Sequence, residues 1–334
     1  MAESNKLILL TTMRQYHFDL LPDELKPTVK KTPPVNFRNV RRARFGIAMM
    51  HLFTPRADTK GVRVSNIRIP RPDGGKQLRL RIYEPKLKDS SDRIGMVFMH
   101  WGGFVVGNLK TEHHRCVRLC RSENMVIVSV KYRLAPEHPF PAGLDDAETA
   151  LRWLHENSEK FGLTSKRIGV GGTSAGGGLA AALALRCLRN REDIVGYQYL
   201  GFPVLDSRCK TASANFHIDT PNWTSEANHL MWEYYLQDQV PNEIASPALA
   251  DDLSGLPPTL LWTAEFDPLH DEAVQYYEQL KRDNIPVVFH DYDNCVHGFD
   301  SILNPTGVIK ESHEDQSKFF KLFRDWVSTE SNGW

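Results

Sequence analysis

The chain has 334 residues, of which 41% are hydrophobic and 25% charged, a composition typical of a globular protein with a large buried core. Its 41 basic residues balance 41 acidic ones, so the overall charge does not favour nucleic acid or an anionic membrane surface as a partner. The five cysteines are scattered, with no Cys-x-x-Cys pair, which argues against a disulfide framework or a zinc site and predicts reduced thiols in the cytoplasm.

The first 55 or so residues are predicted to form short helical pieces. Their only aliphatic stretch, residues 7–10, is too short for a signal peptide, and no later run approaches the roughly 18 apolar residues of a membrane-spanning helix. We therefore expect neither a signal peptide nor stable membrane insertion. Four arginines in this region are interpreted as a solvated helix face: Arg38, Arg41, Arg42 and Arg44.

From residue 62 onward the sequence is typical of strands. Residues 62–69 and 78–85 alternate apolar and polar side chains, as half-buried antiparallel strands do, and Pro-Asp-Gly-Gly between them is a turn signal. Later runs are almost continuously apolar, which is typical of strands covered on both faces. These runs are residues 95–100, 125–130, 167–172, 198–205, 259–264 and 287–292.

Segments with helical spacing separate or follow these runs, at residues 145–156, 177–188, 271–282 and 314–327. The alternation predicts a doubly wound, mostly parallel sheet with helices on both faces and the antiparallel pair at one edge. Residues 207–240 interrupt the alternation and are interpreted as an inserted helical cap. They include a glycosylation sequon, Asn222-Trp223-Thr224, which is common by chance and receives little weight.

The strongest local motif is Gly172-Thr173-Ser174-Ala175-Gly176. It lies directly after a predicted strand and before a predicted helix, the context that a nucleophile elbow requires. The flanking small residues fit a strained turn in which the helix packs close to the strand. Ala175 would present its backbone N–H at the helix N-terminus, where partial positive charge gathers.

A serine hydroxyl needs a base, and the base needs an orienting carboxylate. Asp267 follows the predicted strand that begins at residue 259, and His297 follows the last one, in the chain order expected for this architecture. Glu265 and Asp271 are near enough to compete with Asp267 for the role of the acid. No histidine pair has the spacing of a His-Glu-x-x-His metal site, so we expect no metal and no cofactor.

The third predicted strand ends in His100-Trp101-Gly102-Gly103-Phe104, at the loop that supplies further oxyanion donors in this architecture. Backbone N–H groups can serve only where no side chain blocks the approach, which would explain Gly102 and Gly103. Losing one such donor costs roughly 2.7–4 kcal/mol in a comparable hydrolase. Trp101 is left with two interpretations: it lines the pocket, or it packs beneath the loop.

Together these motifs resemble the hormone-sensitive-lipase branch of the α/β-hydrolase family of carboxylesterases and lipases. The matches run from about residue 95 to 300 and include residues 132–142, Ser246-Pro247, residues 267–271 and His297-Gly298-Phe299. The resemblance implies one α/β-hydrolase domain over residues 1–334, with a mostly parallel eight-stranded sheet. It also implies a helical cap built from about residues 1–55 and 207–240.

The resemblance assigns roles as well: Ser174 as nucleophile, His297 as base and then acid, and Asp267 as its orienter. The oxyanion donors are the N–H groups of Gly102, Gly103 and Ala175. The sequence departs from the family pattern at two positions. Thr173 stands where the elbow usually carries aspartate, and Trp101 replaces the first glycine of the oxyanion motif.

We therefore predict a serine carboxylesterase that hydrolyses small to medium ester substrates through an acyl-Ser174 intermediate. Hydrolysis of an amide or formamide, or a dedicated esterase role in secondary metabolism, would use the same site. A ligand-binding receptor of the same fold is a third hypothesis, and the presence of His297 argues against it. The sequence leaves open the natural ester and whether the protein is a homodimer.

Overall fold

An eight-stranded sheet forms the centre of the computed structural model, which describes residues 16–32, 34–86, 92–217, 219–303 and 305–329. The strands lie in the order β1-β2-β4-β3-β5-β6-β7-β8. Their bounds are β1 (Val62–Ile69), β2 (Leu78–Pro85), β3 (Ile94–Met99), β4 (Met125–Val130), β5 (Ile168–Thr173), β6 (Gln198–Gly201), β7 (Thr259–Phe266) and β8 (Val287–Val296).

The strand directions match the predicted architecture. β1 pairs with β2, and β2 with β4, in antiparallel fashion, whereas the pairings from β4 through β3 to β8 are parallel. The antiparallel pair therefore forms one edge of a mostly parallel sheet. Both strands coincide with the segments in which apolar and polar residues alternate.

Helices cover both faces of the sheet. Their bounds are α1 (Lys26–Val29), α2 (Val40–Phe53), α3 (His113–Ser122), α4 (Ala142–Glu156), α5 (Ala175–Arg189), α6 (Ala212–Phe216), α7 (Ser225–Leu236), α8 (His270–Arg282) and α9 (Gly307–Thr329). Because successive side chains of a strand point to opposite faces, Val97 and Met99 of β3 share a core with α4, α5 and α8. Met96 and Phe98 share the other core with α3 and α9.

Two local predictions are wrong. β8 is not covered on both faces: it is the last strand of the sheet, and its first four residues are only half-buried. Arg44 does not point into solvent, because its guanidinium donates to both carboxylate oxygens of Glu137, at 2.7 and 2.6 Å, and to the carbonyl of Ala135 at 2.9 Å. Arg41 and Arg42 are exposed, as predicted.

The two predicted cap segments are only partly described. Residues 1–15, including the aliphatic stretch, lie outside the described residues. The remainder of the first segment contains α1 and α2, and the second contains α6 and α7. The two segments contact each other: the Val35 N–H donates to the carbonyl of Asn222 at 3.0 Å, and the Tyr234 hydroxyl donates to that of Phe37 at 3.0 Å.

Candidate active site

The structure brings Ser174, His297 and Asp267 together at the carboxyl ends of β5, β8 and β7. The Ser174 hydroxyl lies 3.0 Å from Nε2 of His297, and Nδ1 of His297 lies 2.6 Å from Oδ2 of Asp267. The second oxygen of Asp267 accepts the Leu269 N–H at 2.9 Å, and the carboxylate is fully buried. A hydroxyl, an imidazole and a fixed carboxylate are thus in line, as nucleophilic catalysis by serine requires.

Backbone strain marks the position of Ser174, the predicted nucleophile. Ser174 has φ 56° and ψ −125°, a conformation that a residue with a side chain rarely adopts. A Cβ on Gly172 would lie 2.3 Å from the carbonyl carbon of Gly176, and one on Gly176 would lie 2.1 Å from the Met99 oxygen. The flanking glycines are therefore needed because α5 starts against the ends of β5 and β3, as the elbow prediction supposed.

The two rival acids are engaged elsewhere. Glu265 accepts the N–H of Asn294 at 2.8 Å. Asp271 contacts Nδ1 of His270 at 2.9 Å and accepts the Ser213 N–H at 2.9 Å. Asp267 is thus the carboxylate that contacts His297 among the three considered.

Gly102 and Gly103 lie beside Ser174 in the same cavity, and Ala175 is the first residue of α5. Both glycines have positive φ, 132° and 56°, but they need to be glycine for reasons that the sequence did not indicate. A Cβ on Gly102 would lie 2.2 Å from the Val106 carbonyl oxygen, and one on Gly103 would lie 2.7 Å from the Phe37 ring. The loop is closed on itself and against the first predicted cap segment.

His100 supports this glycine loop from beneath. Its ring is fully buried, stacks on Tyr132 with centroids 4.2 Å apart, and places Nδ1 2.8 Å from the carbonyl of Trp101. Since a carbonyl only accepts, Nδ1 carries the proton. Burial lowers the pKa of His100 to about 4, so the ring is neutral at neutral pH and acts as a structural donor.

Two cavities meet at the site. The inner one, about 80 Å³, is lined by Ser174 and His297 together with Phe37, Phe202 and Trp223. The outer one, about 740 Å³, extends from Gly298 past α2 and α3. Trp101 is half-buried and lines both, which favours the first of its two interpretations.

The second predicted cap segment contacts His297 directly. The Asn222 amide donates to the carbonyl of His297 at 3.1 Å, and the Trp223 ring lies 5.8 Å from the His297 ring. Sequence reasoning missed Asn222. Its only signal was the sequon, which suggested glycosylation rather than a contact with a residue 75 positions away.

Sequence reasoning also missed a buried network behind the elbow. The Thr173 hydroxyl donates to Glu112 at 2.5 Å, and Glu112 pairs with Arg115 at 3.0 Å. Arg115 in turn donates to both oxygens of Asp300, at 2.8 and 2.9 Å. Burial opposes the ionisation of Asp300, but Arg115 outweighs it and lowers the pKa of Asp300. The network links the residue before Ser174 to the turn that follows His297.

Comparison with known proteins identifies the family. The family whose description is the alpha/beta hydrolase fold matches residues 96–301. The chain belongs to this α/β-hydrolase family. The hydrolase is 33% identical to the esterase LipI of Mycobacterium tuberculosis over 259 residues, covering 76% of this chain and 79% of the relative. It is 32% identical to an ethyl acetate hydrolase of Pseudomonas putida over 246 residues, covering 72% and 76%.

Solved structures agree. A bacterial heroin esterase superimposes with a TM-score of 0.83 at 31% identity, covering 92% of this hydrolase and 98% of that chain. The esterase LipW of Mycobacterium marinum gives a TM-score of 0.79 at 32% identity, covering 94% and 99%. These findings confirm the predicted family, fold and enzyme class. Among the helices in the described ranges, we find none that is both long and apolar enough to span a membrane.

Proposed function

We propose that this hydrolase is a serine carboxylesterase in which Ser174 attacks the ester carbonyl and carries the acyl group. The observation that carries the proposal is the alignment of Ser174, His297 and Asp267 over contacts of 3.0 and 2.6 Å. His297 accepts the serine proton at Nε2 as the tetrahedral intermediate forms. It then returns that proton to the leaving alcohol, and Asp267 stabilises the imidazolium in between.

The developing oxyanion needs donors that are fixed before the reaction starts. We assign this role to the N–H groups of Gly102 and Gly103, which line the same cavity as Ser174, and of Ala175, the residue that follows it. In the second half-reaction His297 deprotonates a water molecule, which releases the acyl group. A ligand-binding receptor would not need a base in contact with the serine, so the contact between His297 and Ser174 favours hydrolysis.

The two cavities suggest how an ester is placed. Because the inner cavity is about 80 Å³ and the outer one about 740 Å³, we place a short acyl chain inside and the larger alcohol portion outside. The inner cavity is closed by Val35 and Phe37 from one segment and by Asn222 and Trp223 from another. We therefore propose that these segments, within about residues 1–55 and 207–240, form the cap of a single domain.

All five cysteines are unpaired and buried, and burial raises the pKa of thiols such as Cys187 and Cys209 to about 12. Buried thiols of this kind are unreactive. Unpaired cysteines support a reducing compartment, and we propose that the enzyme acts in the cytoplasm.

The test combines labelling with a substrate panel. A fluorophosphonate should label the native enzyme at Ser174, and Ser174→Ala should abolish both labelling and ester hydrolysis. Nitrophenyl acetate and butyrate should react faster than the octanoate, since a short chain fits the inner cavity. Failure of the probe to label Ser174 would overturn the hydrolase mechanism, and fastest turnover of the octanoate would overturn the assignment of the cavities.

A further inference from the structure

Helix α2 carries apolar side chains on two opposite faces. Val40, Ala43 and Ile47 are partly buried against the main core and anchor the helix. On its outward side Phe45, Leu52 and Phe53 are 66%, 69% and 77% exposed. Together with Met50, they are four of the eight exposed large hydrophobic side chains among the described residues. A helix that is apolar on both faces is normally packed against other groups on both. Exposed apolar side chains that lie together, as these do, mark an interaction surface.

The charge around this helix is one-sided. Residues 26–56 contain eight basic residues and no acidic one, although the whole chain is balanced. Arg38 and Arg44 are paired with Glu226 and Glu137. Arg41 and Arg42 are exposed at the start of α2, and Arg56 is exposed just beyond its end. Although the whole chain has no net charge, exposed arginines therefore precede and follow the exposed apolar residues of α2.

The same surface lies at the entrance to the site. Met50, Thr54 and Arg56 line the outer cavity together with Trp101. Lys110, which is exposed, lines the cavity too. Whatever covers the outward side of α2 therefore lies beside the route by which a substrate reaches Ser174.

We propose that α2 docks this enzyme on an anionic lipid surface. Phe45, Leu52 and Phe53 enter the boundary between headgroups and acyl chains, and the flanking arginines contact lipid phosphates. This combination of an apolar face with basic residues is the one that holds amphipathic helices at anionic bilayers. An apolar ester dissolved in that surface would then enter the outer cavity without crossing water.

The charge argues for lipid over a second copy of the chain. In a two-fold dimer through α2, each surface residue meets the same set on the partner. Arg41, Arg42 and Arg56 would then face the same arginines. Residues 26–56 contain no carboxylate to offset them, and Glu226 and Glu137, which contact this segment, are already paired with Arg38 and Arg44. An anionic membrane provides that counter-charge along its whole plane.

The first experiment measures binding and does not depend on the esterase reaction. The full-length protein is sedimented with vesicles of phosphatidylcholine alone and with vesicles of an equimolar mixture of phosphatidylcholine and phosphatidylserine. We expect binding to the mixed vesicles, weakened by salt because the attraction is screened. Arg41→Gln/Arg42→Gln should weaken it about fivefold for each arginine removed, and Phe45→Ser/Leu52→Ser/Phe53→Ser should abolish it.

A matched control lies on α9, where Lys321 and Leu322 are also exposed. Lys321→Gln/Leu322→Ser should leave vesicle binding unchanged. The α2 variants should hydrolyse a water-soluble nitrophenyl ester at the native rate, because none of the substituted residues lines either cavity. They should lose only the hydrolysis of an ester dissolved in the mixed vesicles.

Three results would overturn the proposal: no binding to mixed vesicles, equal binding to both kinds of vesicle, or loss of binding in the α9 control as well. Analytical ultracentrifugation without vesicles supplies a fourth. A native dimer that the triple serine variant converts to a monomer would show that a second copy covers α2. Loss of vesicle binding with intact labelling of Ser174 would leave the proposed catalytic function standing.

Discussion

Glu112 places a carboxylate next to the nucleophile elbow from a position 61 residues earlier in the chain. The elbow carries Thr173 where the family resemblance leads one to expect aspartate, and here the carboxylate at this place belongs to Glu112, the residue that precedes α3. There it is neutralised by Arg115, which also holds Asp300 beyond His297. One buried cation thus connects the loops that carry Ser174 and His297.

The contact between Thr173 and Glu112 predicts how two single variants and one double variant behave. Glu112→Gln should lower kcat roughly tenfold with little change in KM, since small displacements of reacting groups reduce rates steeply. Thr173→Asp should lower it further, because two carboxylates would stand at the present 2.5 Å contact. The combination Thr173→Asp/Glu112→Gln should recover most of the activity, since an amide can donate to the new carboxylate. Steady-state kinetics and the rate of fluorophosphonate labelling measure all three.

A control separates positioning from stability. Asp146 is buried and paired with Arg71 at 2.6 Å, but it lines neither cavity. Asp146→Asn should therefore lower the melting temperature and leave kcat unchanged. If the double variant is less active than either single variant, the carboxylate cannot be exchanged between positions 112 and 173.

Trp101 supports a second prediction at the scale of the residue. Because its indole lines both the inner and the outer cavity, Trp101→Gly should join the two and allow longer acyl chains to bind. The ratio of kcat/KM for nitrophenyl octanoate to that for the acetate should rise, and the melting temperature should change little. A large loss of stability with an unchanged ratio would instead mean that the indole packs beneath the loop.

At the scale of the element, the glycine loop after β3 depends on backbone geometry. Gly102 combines φ 132° with a Cβ position 2.2 Å from a backbone oxygen, so Gly102→Ala cannot be relieved by moving a side chain. We expect a loss of more than about 2 kcal/mol in the free energy of unfolding. Gly46 in α2 is a matched control: a Cβ there would meet nothing within 4 Å. Gly46→Ala should stabilise the protein by up to about 1 kcal/mol.

Urea denaturation measures the free energy of unfolding of both glycine variants. Equal stability of Gly102→Ala and the native protein would show that the loop relaxes around a side chain. It would also restore the simpler view, in which this glycine serves only to let a substrate approach the N–H group.

Features whose residues are adjacent in the chain could be predicted from the sequence, whereas contacts between distant residues could not. The alternation of apolar and polar residues predicts the bounds of β1 and β2, because successive side chains of a strand point to opposite faces. The Ser174 motif is readable because strand, turn and helix are adjacent in the chain. The contacts of Glu112 and Asn222 could not be predicted, because their partners lie 61 and 75 residues away in the chain. β8 is misread since its run of apolar residues does not reveal that it lies at the edge of the sheet.

At the scale of the whole molecule, the sheet brings the side chains of the proposed catalytic triad together. β5, β7 and β8 run parallel, so their carboxyl ends lie at one edge, where open α/β sheets bind ligands. Ser174, Asp267 and His297 each follow one of these ends. Their separation in the chain is therefore no obstacle. Chain order predicted Ser174 and His297 but left Glu265 and Asp271 as alternatives to Asp267, and the contact of Asp267 with His297 distinguishes among these three carboxylates.

The histidines predict how the stability of the whole molecule depends on pH. Burial lowers the pKa of His100 to about 4, and burial together with nearby arginines lowers that of His113 and of His313 to about 4. Burial also opposes the charge of His270, but hydrogen bonds to Asp271 and Asp291 outweigh it and raise its pKa to about 10. The first three rings are therefore neutral near neutral pH, and the fourth is charged.

These shifts give slopes of opposite sign on the two sides of pH 6.5, the ordinary pKa of histidine. Between pH 6.5 and about 4 the unfolded chain takes up protons that buried His100 refuses. Stability then falls by about 1.4 kcal/mol per pH unit for that ring. Between pH 6.5 and about 10 the folded chain keeps the proton of His270 more tightly than the unfolded chain does, so its stabilising contribution is lost as the pH rises.

Denaturant titrations from pH 4.5 to 9.5 should therefore show a maximum contributed by the histidines near pH 6.5, if measured at about constant salt. His313→Gln should make the acid side less steep, because it removes one of the three rings whose pKa is lowered, and it should leave the alkaline side unchanged. His270→Gln should make the alkaline side less steep and leave the acid side unchanged, because it removes the ring that Asp271 and Asp291 hold in its charged form. An acid side that stays equally steep in His313→Gln would contradict this prediction, because it would mean that the ring keeps its proton in the folded enzyme.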